Sequence, residues 1–262
     1  MELGELVAAV VPKSPPTDQC PFAHRPRKHD KKNVVPPPAT KNNAKTLSEN
    51  LDDASLHVPP TPITLSDGTE AMAQFSAHHL VPGNESWPKS KLYRWIDKRP
   101  GHVKGDIGYD VNSPRNGIDL PGHVAVSGWG ASSPSFQADY AFTSMDADAV
   151  RRQFHDRHPA YSDFVIQALD KIAARLDAQV GNSAGCGKED CPGNNKEPPF
   201  DPPYNVLELI YGISQRLAPK LSGSARKWRA PIITSRFALM YKNRKLSQQA
   251  ARKMLDVSNF DY

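Results

Sequence analysis

The sequence predicts an α+β protein, mainly helical, with a short extended core, added helices and a proline-rich N-terminal arm. Three observations carry that class. Tyr161, Phe164, Val165, Ala168, Leu169, Ile172 and Leu176 hold helical spacing until Gly181 stops the run, and Val206, Leu209, Ile210, Ile213 and Leu217 repeat the pattern. The stretch Phe75-Ser76-Ala77-His78-His79-Leu80-Val81-Pro82 is short, apolar and closed by proline, which reads as extended chain. Residues 12–62 carry Pro12, Pro15, Pro16, Pro21, Pro26, Pro36, Pro37, Pro38, Pro59, Pro60 and Pro62 among lysines and asparagines.

In chain order these features divide the 262 residues into three parts. Residues 1–64 form the arm, whose few large apolar side chains cannot bury enough surface to fold alone. Its first eleven residues, with Leu3, Leu6, Val7, Val10 and Val11, suit a short docking segment; they lack the basic start of a secretory signal. Residues 65–180 hold the core and the first stripe. A second short helix is expected over Lys89 to Asp97, where Leu92, Trp95 and Ile96 are spaced for one apolar face. Residues 181–262 comprise a Gly- and Pro-rich loop to Pro203 and a basic helical lobe. No stretch has the length of a membrane span, so no membrane partner is expected.

The chemistry concentrates in His78 and His79, two of nine histidines. On extended backbone successive side chains point to opposite sides, so one imidazole can bind a metal while its neighbour stays free as a base. Downstream lie Asn112 and Asn116, the latter in Asn116-Gly117-Ile118-Asp119-Leu120-Pro121. His155-Asp156-Arg157-His158-Pro159-Ala160-Tyr161 then leads into the first stripe.

Ala77-His78-His79 with Leu80-Val81-Pro82, Asn116-Gly117 with Leu120-Pro121, and His158-Pro159-x-Tyr161 resemble, in order and setting, the AHH nucleases of the HNH and endonuclease VII superfamily. The resemblance spans roughly residues 70 to 180. It implies a ββα-metal, or His-Me finger, core, with His78 as metal ligand, His79 as the base that activates water, and Asn116 fixing that base or completing the metal shell. His158 is implied as a further ligand. In such families the last two histidines stand four residues apart, whereas His155 and His158 are three apart and share a face if that stretch is helical. The third ligand is therefore open among His158, His155 and His123, in that order, the last lying in the long insertion from Pro121 to Phe154.

Phosphodiester hydrolysis needs a nucleophile made from water, a positive centre near the developing charge and relief for the leaving oxygen. Histidine titrates near neutrality and serves as the proton acceptor. One divalent cation supplies the positive centre; imidazole with amide and water ligands suits Zn, Ni or Mn and admits Mg.

Charge fits a nucleic-acid substrate, DNA before RNA. Thirty-three basic residues against 28 acidic ones give +5, with a pI near 9.0. From Arg216 to Lys253 every charged residue is basic, as phosphate-backbone binding requires, although a solvated surface has the same composition. Trp228 and Tyr241 in that block suit base stacking or core packing. Lys89, Lys91, Arg94 and Arg157 are the candidate substrate contacts near the histidines. Phosphate contacts carry no sequence information, so cleavage without strong sequence specificity is expected.

Cys20, Cys186 and Cys191 lack zinc-finger spacing and read as free thiols, with a local Cys186 to Cys191 bridge as the alternative. AHH-type domains commonly arm bacterial antagonistic toxins. The resemblance thus implies an effector made in the producer's cytoplasm, delivered into a target cell by a contact-dependent machine such as type VI secretion, docked through its arm on a secretion component or adaptor, and neutralised by a cognate immunity protein. Two other classes compete: a non-catalytic nucleic-acid or protein-binding module with a degenerate finger holding a structural metal, and a delivery adaptor indifferent to its histidines.

Overall fold

Asn43 opens the first element. Its side chain accepts from the backbone N–H groups of Lys45 and Thr46, and helix α1 follows over Ala44–Asp53. The structure, a computed structural model, describes residues 42–93, 109–124, 126–182 and 206–258. Strands β1 (Thr61–Thr64), β2 (Glu70–His79) and β3 (Gly117–Gly122) form an antiparallel sheet in the order β1-β2-β3. The β1–β2 turn requires left-handed backbone at Gly68, with φ at +88°. Helices α2 (Pro134–Ala147), α3 (Pro159–Asn182), α4 (Val206–Leu221) and α5 (Arg236–Ser258) complete the described elements.

The register of β2 on β3 places His79 opposite Gly117, His78 opposite Ile118 and Ala77 opposite Asp119. An isolated parallel bridge then joins Gly122 to His155, and the His155 N–H donates to the Pro121 carbonyl at 2.7 Å. The end of β3 therefore carries the segment that leads into α3. This α+β arrangement is compatible with a ββα nuclease core.

Apolar burial falls in two main clusters. One packs Tyr161, Val165, Leu169, Ile172 and Leu176 of α3 against Leu209, Ile210, Ile213 and Leu217 of α4, with Leu80, Trp87, Tyr109 and Leu120 closing it. Both helical stripes expected from the sequence thus face each other. The second cluster joins Ile63, Ala73, Tyr140, Phe154, Trp228, Phe237 and Tyr241. The segment after residue 181 is consequently not one appended lobe: α4 belongs to the first cluster and α5 to the second, beside α2 from the insertion.

The arm expected through residue 64 also ends earlier. Leu47 and Leu51 of α1 are buried with Ala77 beneath β2, so α1 and β1 are part of the folded core. Composition hid this because two leucines suffice when the sheet already offers an apolar face. The earlier arm, all three cysteines and residues 94–97 of the helix expected over Lys89 to Asp97, Arg94 and Trp95 included, lie outside the described residues, while Lys89 to Leu92 form turns and a bend where helix was expected.

Candidate metal centre and base

The alternation of β2 separates the two histidines of the doublet. His78 faces α3, where its ring centroid lies 4.7 Å from that of His155, 5.0 Å from His158 and 5.1 Å from Tyr161. His155 Nε2 and His158 Nε2 are 3.1 Å apart. One ligand nitrogen from each of His78, His155 and His158 can be chosen so that all lie within 4.8 Å of one another.

Local backbone brings the later pair together, and it is not a helix that does so. His155 sits on the bridge to Gly122, and Pro159 begins α3. A residue before proline avoids helical backbone, while proline suits the first helical turn. His158 accordingly stands at the helix entrance, its carbonyl accepting from the N–H groups of Tyr161 and Ser162. The shared helical face expected for His155 and His158 is replaced by a bend that turns both rings toward His78. His123 stands outside the trio, stacked on Trp129 at 5.2 Å with its Nδ1 3.8 Å from Asp156 Oδ1.

The trio fits a cation. His78 is 3 % exposed, yet its Nε2 has no hydrogen-bond partner among the described residues. Two nitrogens each about 2.1 Å from one ion, at right or tetrahedral angles, stand about 3.0–3.4 Å apart, which the 3.1 Å separation of His155 and His158 satisfies. Burial, reinforced by the neighbouring imidazoles, pushes the His78 pKa well below its ordinary value and that of His155 down to about 3. Burial lowers that of His158 also, against an opposing pull from Glu85. The three rings are therefore neutral at neutral pH, the state in which imidazole donates a lone pair.

His79 points to the other side of the strand. Its Nε2 lies 2.9 Å from Asn112 Oδ1, and the same oxygen accepts from the Asn43 N–H at 2.9 Å. Because a backbone N–H can only donate, the Asn112 atom facing both groups is the carbonyl oxygen, and His79 must carry its proton on Nε2. Nδ1 is then the basic nitrogen. Burial lowers the His79 pKa below its ordinary value, with the Asn112 bond opposing.

Asn116, expected to fix the base or the metal shell, contacts neither. Its Oδ1 accepts from the Val81 N–H at 2.9 Å and the Ser214 hydroxyl at 2.7 Å, and its Nδ2 donates to the carbonyls of Val81 at 3.1 Å and Val111 at 2.8 Å. Both donors and both acceptors are engaged, leaving nothing for a ring. Asn116 instead holds the backbone that follows the doublet, and its own carbonyl accepts from the Leu80 N–H. Asn112, not Asn116, is the residue on His79; the turn-forming Asp-x-Asn-Ser-Pro run around it is the signal that marks it in the sequence.

Among the candidate substrate contacts, Lys89, Lys91 and Arg157 are exposed. Trp228 and Tyr241 are 1 % and 3 % exposed, which makes them packing residues and removes them as stacking platforms. His57, which no sequence motif singles out, places its Nδ1 2.7 Å from Oδ2 of the buried Asp119. That carboxylate further accepts from the Val58 N–H at 2.8 Å and so pins the chain between α1 and β1 onto β3.

A small antiparallel sheet flanked by helices, with three neutral imidazoles converging on one side of a strand and a hydrogen-bonded fourth on the other, defines a histidine-based candidate metal site. Residues 63–184 match the model of AHH, a nuclease family of the HNH/ENDO VII superfamily with conserved AHH, a similarity that covers just under half of the chain. The conserved Ala-His-His corresponds in this chain to Ala77-His78-His79. No curated protein matches the chain, and no solved structure does.

Proposed function

We propose that this protein is a metal-dependent endonuclease that hydrolyses phosphodiester bonds in nucleic acid, DNA before RNA, with little sequence preference. The observation that carries the reading is the convergence of His78, His155 and His158 across β2 from an oriented His79. The trio would hold one divalent cation, which when bound supplies Lewis acidity toward the phosphate and stabilises the charge of the leaving oxygen. His79 takes the proton of the attacking water at Nδ1 while Asn112 holds the ring by its Nε2–H. Tyr161 donates its hydroxyl hydrogen to the Leu80 carbonyl at 2.7 Å, steadying the backbone next to the doublet. Lys89, Lys91 and Arg157 supply positive charge around the strand.

The biological setting belongs to the same proposal. AHH-type domains serve antagonistic toxins, and the proline-rich residues before α1 suit engagement of a delivery component. A type VI secretion effector and an acidic cognate immunity protein are the corresponding route and partner. No helix among the described residues is long and apolar enough to cross a membrane.

The test is incubation of plasmid DNA and total RNA with purified protein and Mg, Mn, Zn or Ni, beside His79→Ala. A parent that cleaves and a variant slowed about 10²–10⁴-fold with unchanged melting support the enzyme. Intact nucleic acid under all four metals, with metal removal melting the fold, selects the binding module with a structural metal. Expression in a bacterium extends the test: toxicity lost with His79→Ala supports the toxin role, and toxicity indifferent to that change removes it.

A further inference from the structure

Apart from the histidines, a cavity of about 380 Å³ opens among Asp146, Arg151, Ser224, Arg226, Tyr241 and Lys245. Its charge is not balanced. Asp146 Oδ1 already accepts from the Tyr241 hydroxyl at 2.5 Å and the Lys245 ammonium at 2.9 Å. Arg151 and Arg226 have no carboxylate partner among the described residues. Two guanidiniums thus face one concavity without an anionic partner among the described residues, in a part of the chain where every charged residue from Arg216 to Lys253 is basic.

These two arginines are held in place by built turns. Arg151 adopts φ at +58°, a left-handed backbone that residues with a Cβ rarely adopt. The Arg151 N–H donates to the Asp148 carbonyl at 2.7 Å, and the Asp148 carboxylate accepts from the N–H groups of Val150 and Arg152. The Gly223 N–H reaches the Val150 carbonyl at 2.9 Å and the Gln153 N–H reaches the Leu221 carbonyl at 2.9 Å, tying this turn to the one that presents Arg226. Uncommon backbone sustained by such a network is found where a side chain must be aimed.

Arg151 also lies four residues before His155 on chain without helix. Four extended steps span at most about 14 Å between Cα atoms, while one DNA strand rises about 3.4 Å per nucleotide along the duplex. A strand that is seated at the trio and runs toward this turn reaches the cavity within about four nucleotides.

We propose that the cavity is an accessory phosphate site, in which Arg151 and Arg226 grip the backbone of the nucleic acid whose scissile bond lies at the histidine trio. The polyanion's identity rests on the nuclease reading; the site itself rests on the two unpaired guanidiniums. It gives affinity and register without base recognition.

The experiment is fluorescence anisotropy of a short labelled DNA duplex with the full chain in EDTA, where no cleavage confuses the measurement, across a series of salt concentrations. The double variant Arg151→Gln/Arg226→Gln is expected to bind about tenfold more weakly, with a log Kd against log salt slope shallower by about two. Arg151→Lys/Arg226→Lys should restore most of the slope, which separates lost charge from lost fold. Unchanged affinity and slope in a glutamine variant of parental melting temperature overturn the proposal. So does inorganic phosphate that binds the parent and not the variant while duplex binding is equal in both, because the site then serves a free anion. A parent that binds DNA through these arginines but never cleaves it sinks the nuclease reading and leaves the two-arginine phosphate site standing.

Discussion

Asn112 and Asn116 stand four residues apart and do opposite work, and the difference is measurable. Asn112 lends one oxygen to two donors, and one of those donors is the His79 ring. Asn112→Ala should slow cleavage about 10²-fold, within the range of general-base effects, by freeing the ring and its tautomer; steady-state kinetics should show the loss in kcat. Asn116 is fully buried with all its hydrogen bonds made to backbone and Ser214. Asn116→Ala strands several buried groups at about 1–3 kcal/mol each, so urea unfolding should reveal a loss of stability larger than that of Asn112→Ala. An Asn116→Ala protein of parental stability would refute this division of labour.

At the scale of elements, α1 is the piece whose docking completes the base. Gly117 lies opposite His79, and a Cβ there would stand 2.8 Å from Leu47 Cδ1 and 3.1 Å from Leu51 Cδ2. The glycine is what lets α1 approach β3 so closely. Leu47→Ala should cost about 2–5 kcal/mol as a cavity in a fully buried contact. It should also lower activity beyond the stability loss, because α1 carries Asn43 and Asn43 holds Asn112. Gly117→Ala should mimic it through steric displacement of α1. Denaturant melts paired with kcat for the two variants check the coupling, and full activity in a destabilised Leu47→Ala protein would break it.

For the whole molecule, the buried histidines couple folding to pH and to metal. His78, His155 and His158 have folded pKa values below the 6.5 of exposed histidine, His155 at about 3. On unfolding at lower pH they take up protons that the folded state refuses, so the unfolded chain binds more protons. Metal-free stability is therefore fully present above about pH 6.5 and falls as pH drops from there toward 3. Melting temperature in chelator across that range should fall, and His155→Gln should flatten the slope. Zinc at about a hundredfold excess over its Kd should stabilise the parent by about 2.7 kcal/mol. Insensitivity of the melting temperature to zinc in the parent would remove the trio as a metal site.

Much of this was legible in the residues themselves. The helical stripes of α3 and α4 repeat on one face, so their burial follows from helix geometry alone. The doublet reads as two opposed imidazoles because strand alternation is a property of the backbone. What residue order did not show was any contact between segments far apart in the chain. Two leucines in a proline-rich setting gave no sign of α1, and Asn112 and Asn116 are the same residue type in similar turns; only α1 packing on one and Ser214 meeting the other distinguishes them. His155 and His158 were visible as a pair, but the bend that aims both at His78 depends on the bridge to Gly122. The sequence by itself determined which side chains carry lone pairs and which faces are apolar, since those are local properties. Tertiary structure decided which nitrogen stays bare and which rings share a centre, because hydrogen-bond partners and packing neighbours are set by the closure of long loops.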